Sequence, residues 1–120
     1  MSKFKEQTLQ EWCADFLNRL PILWSASAGG MRVSINTAKK MKRAGYKKGF
    51  PDIFIYLSKG CYHGMAIELK LGSYPTPEQI NWQKGLSEAG YYAIIVPRKL
   101  NFQEAYQFVV TEIERYMALK

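Results

Sequence analysis

Apolar side chains recur every three to four residues over positions 5–19, and this spacing predicts an amphipathic helix that ends before Pro21. A second, shorter helix is predicted to end at Gly45, because three apolar residues before it are spaced by three positions. These are Ile35, Ala38 and Met41. The lysines of this helix are expected on its outer side.

Two further helices begin at capping sequences. Thr76 and Pro77, followed by Gln79, have the order of a capping box with proline in the first turn, and this helix is expected to run to Ala89. Asn101 opens the last helix. Its inward-facing residues are predicted to be Ala105, Val109, Ile113 and Tyr116.

Short apolar runs between the helices predict β-strands at residues 22–26, 53–57, 62–69 and 92–96. The predicted order is therefore α-β-α-β-β-α-β-α. Because this order is not a regular βαβ alternation, it indicates an α/β fold with a mixed β-sheet flanked by helices. A chain of this length suits one hydrophobic core, so residues 1–120 are expected to form a single domain.

The second and third strands predict their own register. If they pair antiparallel about Gly60, Asp52 lies opposite Glu68, and Lys70 follows two residues later on the same face. The opposite face is then wholly aliphatic, with Ile53, Ile55, Leu57, Met65, Ile67 and Leu69. The hydrophobic pattern alone therefore predicts two carboxyl groups and a lysine on one face.

Two facing carboxylates repel each other, and a divalent cation relieves the repulsion. Mg²⁺ and Mn²⁺ prefer carboxylate oxygens and keep waters for substrate phosphates. Such an ion can activate a water and offset charge on a phosphate. Lys70 is then placed to polarise that water or to stabilise the developing negative charge. The alternative is that Lys70 only pairs with one acid on a wet sheet face.

The same residues resemble a known family. The sequences GFPD at 49–52, IELK at 67–70 and PEQ at 77–79, followed by Trp82, resemble the VRR-NUC (virus-type replication-repair nuclease) domains of the PD-(D/E)XK nuclease superfamily. The resemblance covers nearly the entire chain. It implies an enzyme that hydrolyses DNA phosphodiester bonds with Mg²⁺ or Mn²⁺.

The resemblance also implies roles for individual residues. Asp52 and Glu68 would bind the metal together with the backbone carbonyl of Leu69, and Lys70 would be catalytic. Gln79 would be an accessory active-site residue, although the capping box also explains a glutamine at this position.

Members of the family tend to carry a glutamate on the first helix, and Glu6 and Glu11 are the candidates. Glu6 lies about 50° from the centre of the apolar stripe of the helix, and Glu11 lies about 170° away. Glu6 is therefore predicted to join the site. The preference for acids in the first turn of a helix explains Glu6 equally well, so this alternative stays open.

The net charge of +7 comes from the first half of the chain. Residues 1–50 contain ten basic and three acidic residues, whereas residues 51–120 contain seven of each. Six of the basic residues are clustered: Lys39, Lys40, Lys42, Arg43, Lys47 and Lys48. Clustered cations bind phosphates by releasing counterions, so this segment is predicted to bind DNA. A solvated helix face is the alternative.

The resemblance implies a restriction-endonuclease-like core and a DNA endonuclease directed by DNA structure, such as branched, flap or four-way-junction (Holliday) DNA in repair. Cutting a four-way junction would require a symmetric homodimer. A non-catalytic nucleic-acid-binding partner subunit and an RNA-processing nuclease are the alternatives.

The chain has no stretch with the composition of a membrane span or a secretion signal, so no membrane partner is expected. Its two cysteines are far apart and form no disulfide framework. A cytoplasmic, reducing location is therefore expected.

Overall fold

The computed structural model describes residues 3–27 and 33–120. The helices are α1 (Lys3–Asn18), α2 (Ile35–Arg43), α3 (Pro77–Glu88) and α4 (Phe102–Met117). The strands are β1 (Trp24–Ala26), β2 (Ile53–Ile55), β3 (Met65–Glu68) and β4 (Tyr92–Ile95). The element order is the predicted one, and the α/β class is confirmed. No helix of the described residues is long and apolar enough to cross a membrane.

The strands form one mixed sheet in the order β1-β2-β3-β4. Strand β2 pairs antiparallel with β1 and with β3, and β4 runs parallel to β3. Ile53 lies opposite Ile67, and Phe54 lies opposite Ala66. This is the register predicted from the aliphatic pattern, and it is therefore confirmed.

The β2–β3 ladder is shorter than predicted. It stops at the Ile55–Met65 pair, and beyond it the carbonyl of Leu57 accepts a hydrogen bond from the hydroxyl of Tyr116 in α4. Gly60 turns the chain with a φ of 57°, in the left-handed region that favours glycine. The pairing is thus interrupted at Leu57 beside α4 and resumes only as the single antiparallel bridge between Lys59 and Tyr62.

One face of the sheet forms the hydrophobic core. Ile53, Ile55, Met65 and Ile67 are fully buried. They belong to one cluster with residues of α1 and α4, namely Leu9, Cys13, Leu17, Ala105, Val109, Ile113 and Tyr116. The four inward-facing residues predicted for α4 are therefore confirmed.

Helix α3 begins at the predicted capping box. The side-chain oxygen of Thr76 accepts from the backbone N–H of Gln79 at 3.1 Å. Oε1 of Gln79 accepts in return from the backbone N–H of Thr76 at 2.9 Å. The two reciprocal hydrogen bonds satisfy N–H groups that the start of a helix leaves without partners.

One side of α3 is partly covered by the rest of the fold. Gln79, Trp82 and Leu86 are only half-buried, whereas Gln83 is buried. Nε2 of Gln83 donates to the carbonyl of Ile94 in β4 at 2.9 Å. Because its amide nitrogen has a backbone acceptor, this polar side chain can be buried at low cost.

Helix α2 does not enter the core. Its apolar residues were expected to form an inner side, but none of its residues is buried and Ile35 is 76% exposed. Four of its nine residues are Lys or Arg, which leaves an apolar stripe too narrow to be buried. Local hydrogen bonds cap the helix, since Ser34 accepts from the N–H of Thr37 and Tyr46 donates to the carbonyl of Met41.

Candidate active site

Asp52 and Glu68 face each other at one end of the β2–β3 hairpin. Asp52 directly precedes β2, and Glu68 is the last residue of β3. The antiparallel register carries both onto one face, and their carboxyl groups lie within hydrogen-bonding reach of each other. Oδ2 of Asp52 also accepts from the backbone N–H of Leu69 at 2.8 Å. The structure therefore brings together the two acids singled out from the sequence.

The surroundings of this pair disfavour its negative charge. Burial, reinforced by the charge and the hydrogen bond of Asp52, raises the pKa of Glu68 to about 9 despite the opposing charge of Lys70. Burial also raises the pKa of Asp52, although the N–H of Leu69 and the carboxyl of Glu68 act to lower it. Without a cation, the pair therefore retains a proton at neutral pH.

The two side-chain oxygens of Glu68 have different surroundings. Oε2 accepts from Nε2 of Gln79 at 2.9 Å. Oε1 is buried and has no hydrogen-bond partner in the part of the chain that the structure describes. Gln79 closes the capping box through its Oε1 and contacts Glu68 through its Nε2, so the two explanations of this glutamine do not exclude each other. The cap fixes the position from which the amide reaches the carboxylate.

Lys70 lies two residues after Glu68 and is 6% exposed. Its charge lowers the pKa of both Asp52 and Glu68. None of the ion pairs formed by residues 3–27 and 33–120 includes it. Lys70 is therefore close enough to influence both acids without forming an ion pair with either. This does not favour the alternative that Lys70 only pairs with one acid.

Glu6 reaches the same region from α1. Its Oε2 accepts from the backbone N–H of Leu71 and from Oγ of Ser73, each at 3.2 Å. Its charge also raises the pKa of Asp52 and Glu68. Glu6 therefore holds the segment that directly follows Lys70, whereas Glu11 is exposed, as its position on the helix predicted.

Leu71 and Ser73 are parts of the site that sequence reasoning missed. They have no recognisable motif, and the backbone N–H of Leu71 has no side-chain signal at all. Their contact with Glu6 spans more than sixty positions of the chain. Only the packing of α1 beside the end of β3 brings them together.

The residues present fit a divalent cation by their chemistry. The described part of the chain has no group of three or more His, Cys, Asp or Glu side chains arranged to hold a metal ion. The expected ligand set contains only two such side chains, Asp52 and Glu68, with the backbone carbonyl of Leu69. Mg²⁺ is commonly bound by one or two carboxylates with waters and substrate phosphates. The unpartnered Oε1 of Glu68 is an oxygen of the kind that these ions prefer.

The basic segment, residues 39–48, lies on the surface beside α3. All six of its Lys and Arg residues are exposed. The carbonyl of Lys48 accepts from Nε1 of Trp82 at 3.1 Å. Gly49 has a φ of 91°, and a Cβ there would approach the backbone carbon of Glu78 to 2.7 Å. Only glycine permits this approach, which brings the end of the basic segment against the helix turn that carries Gln79.

The chain is thus an α/β domain with a four-stranded mixed sheet that carries two acids, with a lysine close to them, at one end of its β2–β3 hairpin. A solved structure described as "VRR_NUC domain protein" is similar to this chain with a TM-score of 0.69 and 26% sequence identity, over 98% of this chain and 88% of that chain. This similarity confirms the predicted resemblance to VRR-NUC domains and the predicted fold. No family model and no curated protein matches the sequence.

Proposed function

We propose that this protein is a Mg²⁺- or Mn²⁺-dependent deoxyribonuclease that hydrolyses phosphodiester bonds. The observation that carries the proposal is the facing pair of Asp52 and Glu68. Among the described residues, one buried oxygen of Glu68 has no hydrogen-bond partner, and the nearby Lys70 forms no ion pair. A carboxyl pair of this kind is unfavourable as a purely structural feature. A site that binds a cation explains why it is present.

In this proposal the cation is held by the carboxylates of Asp52 and Glu68 and by the backbone carbonyl of Leu69. When bound, it supplies an activated water and offsets the negative charge of the phosphate. The Leu69 N–H orients the carboxylate of Asp52 at 2.8 Å. Nε2 of Gln79 orients the carboxylate of Glu68 at 2.9 Å. The two ligands are thereby held in place before the cation binds.

Lys70 supplies a positive charge next to the scissile phosphate. Because its amine is committed to neither acid, it can donate to a phosphate oxygen or to the attacking water. Glu6 acts as a positioning residue, since its carboxylate fixes the backbone of Leu71, the residue after Lys70.

The basic segment supplies the attraction to the DNA backbone. Its six exposed cations are Lys39, Lys40, Lys42, Arg43, Lys47 and Lys48. Phosphate contacts of this kind are independent of base sequence. We therefore propose that DNA structure, such as a flap or a branch, directs cleavage, and that two copies of this single domain act together on a four-way junction.

The test is a cleavage panel of linear, flap and four-way-junction DNA in Mg²⁺, Mn²⁺ or EDTA. We expect cleavage with either cation and none in EDTA. Asp52→Asn and Glu68→Gln, which keep the size of the side chains, should abolish cleavage, whereas Glu114→Gln at an exposed position should not. Binding of DNA without cleavage under every condition would contradict the proposal and favour a non-catalytic partner subunit.

A further inference from the structure

The face of the sheet that carries the two acids is covered over only one half. Helix α3 packs against β3 and β4 on this face. Over β1 and β2, Ser25 is exposed and Tyr56 is 50% exposed. Helix α2 has no buried residue. Thus no helix of the described residues covers this half of the face.

Five aromatic side chains, here called the aromatic strip, line this half and its border with α3. They are Phe50, Phe54, Tyr56, Trp82 and Tyr91. The ring centroid of Phe54 lies 6.2 Å from that of Phe50, 4.9 Å from that of Tyr56 and 5.4 Å from that of Tyr91. Phe50 in turn meets Trp82 edge to face at 5.0 Å. None of the five is fully buried, so the strip is a surface and not part of the core.

Tyr56 has the most exposed ring of the strip. Its hydroxyl is hydrogen-bonded to Oγ of Ser25 on β1 at 2.9 Å, and its ring leans on Phe54. The side chain is therefore held in one position while half of it stays accessible. A ring that is already fixed loses little conformational entropy when a planar ligand stacks on it.

The strip continues into a groove on α3. The groove has a volume of about 360 Å³, and Trp82 belongs both to it and to the strip. This volume is within the range of small-ligand sites. The surface therefore offers a second aromatic residue, Trp82, beside a groove.

The strip adjoins the acids and the basic segment. Asp52, Phe54 and Tyr56 alternate with buried residues, so all three lie on one face. Each is about 7 Å from the next along the strand. At the other end, the hydrogen bond from Trp82 to the carbonyl of Lys48 ties the strip to the exposed cations. Ring faces, a phosphate-cleaving site and positive charge thus occur together on one surface.

We propose that the aromatic strip stacks unpaired nucleobases of the DNA strand whose phosphate lies at Asp52 and Glu68. This inference rests on the proposed nuclease function and adds the substrate class: DNA with a single-stranded segment next to the cleaved bond. Bases stack on aromatic side chains with little regard to sequence, because every base has a π face. A sheet surface that carries aromatic residues is a common platform for single strands.

A nucleic acid suits this surface better than a second copy of the chain. Each copy has a net charge of +7, so two copies repel each other wherever basic segments approach. A DNA strand brings the complementary negative charge together with flat apolar bases. Both of its chemical components thus have a counterpart at this surface.

The experiment measures the affinity of the full chain for two fluorescent strands of equal length, an oligothymidylate and an abasic strand, in EDTA so that no cleavage occurs. The two strands carry the same phosphates, and only the first has bases. Tyr56→Ser should weaken binding of the oligothymidylate roughly five- to 150-fold, the range for one lost base–aromatic stack, and leave the abasic strand unchanged. Tyr56→Phe should restore the affinity.

The control is Trp12→Ser. Trp12 is also exposed, at 44%, but its ring meets Phe102 and Tyr106 of α4 edge to face, on the opposite side of the sheet. The Trp12→Ser variant should have the wild-type affinity for both strands. Thermal unfolding of each variant verifies that it is folded.

Equal affinity of wild-type protein and folded Tyr56→Ser for the oligothymidylate would overturn the proposal. So would a Tyr56→Ser variant that changes only the molecular mass in solution, since the strip would then bind a second copy. Base-dependent binding without any cleavage in Mg²⁺ or Mn²⁺ would support the strip and contradict only the nuclease function.

Discussion

The two faces of the sheet are built from alternate residues of the same strands, yet their surroundings differ completely. On one face, Ile53, Ile55 and Ile67 are fully buried in a single aliphatic cluster with α1 and α4. On the other, burial and the charge of Asp52 disfavour the charge of Glu68, one oxygen of which has no hydrogen-bond partner among the described residues. The first face supplies the stability that allows the second to be unfavourable. Substitutions should therefore affect stability on one face and chemistry on the other.

The largest expected effect is on cleavage. Lys70→Ala should lower the cleavage rate on the order of 10² to 10³, by analogy with the loss of one preorganised donor. DNA affinity should change little, because one lysine among many supplies a small share of the phosphate attraction. Single-turnover cleavage and DNA titration measure the two quantities.

Two further variants separate the expected role of Lys70 from that of a metal ligand: Asp52→Ala and the control Lys120→Ala. Asp52→Ala should lose Mn²⁺ affinity as well as cleavage, whereas Lys70→Ala should keep Mn²⁺ binding. The exposed Lys120→Ala variant should behave as wild type in all three measurements. Near-normal cleavage by folded Lys70→Ala protein would show that this lysine has no part in the chemistry.

The second effect concerns DNA binding by the basic segment. Replacing Lys39, Lys40, Lys42 and Arg43 with Ala should weaken DNA binding. The slope of the logarithm of the binding constant against the logarithm of the salt concentration should become less steep by up to about four, at roughly 0.9 per phosphate contact. Thermal stability should barely change, because no residue of α2 is buried. An unchanged affinity and salt slope would mean that DNA binds elsewhere.

The third effect tests the aliphatic face. Ile113→Val removes one fully buried methylene group and should lower the free energy of unfolding by about 0.5–1.5 kcal/mol, while folded protein keeps its cleavage rate. The matched control is Ile35→Val, at a residue that is 76% exposed and should tolerate the change. Urea unfolding measures both variants, and equal losses of stability would contradict the conclusion that the cluster of the aliphatic face with α1 and α4 stabilises the fold.

The smallest expected effect is on how the stability of the fold depends on pH, through a tyrosine that packs against the core. The hydroxyl of Tyr92 donates to Oε1 of Glu112 at 2.7 Å, and this bond, together with burial, raises the pKa of Tyr92 to about 12. The unfolded chain releases this proton near pH 10. The folded state binds it more tightly, so this contribution to stability is fully present below about pH 10 and is lost as pH rises to about 12.

Tyr92→Phe should therefore make the stability fall less steeply in this range, whereas Tyr74→Phe at an exposed position should not. Urea unfolding at a series of alkaline pH values makes the comparison. A Tyr92→Phe profile parallel to that of the wild type would show that the bond to Glu112 does not stabilise the folded state.

The sequence by itself determined the features that depend on neighbours along the chain. The capping residues Thr76 and Asn101 predicted where α3 and α4 begin. The alternation of aliphatic residues on both sides of Gly60 predicted the hairpin register, because a shift by one residue would expose the entire aliphatic face. That register is sufficient to place Asp52 opposite Glu68.

Only the tertiary structure decided which distant groups meet around these acids. The contact of Glu6 with Leu71 and Ser73 depends on how α1 packs, and the burial of Gln83 depends on a backbone acceptor in β4. The open half of the sheet face depends on α2 staying outside the core. Residue spacing describes periodicity within one element, whereas these contacts depend on the relative placement of several elements, which no local pattern encodes.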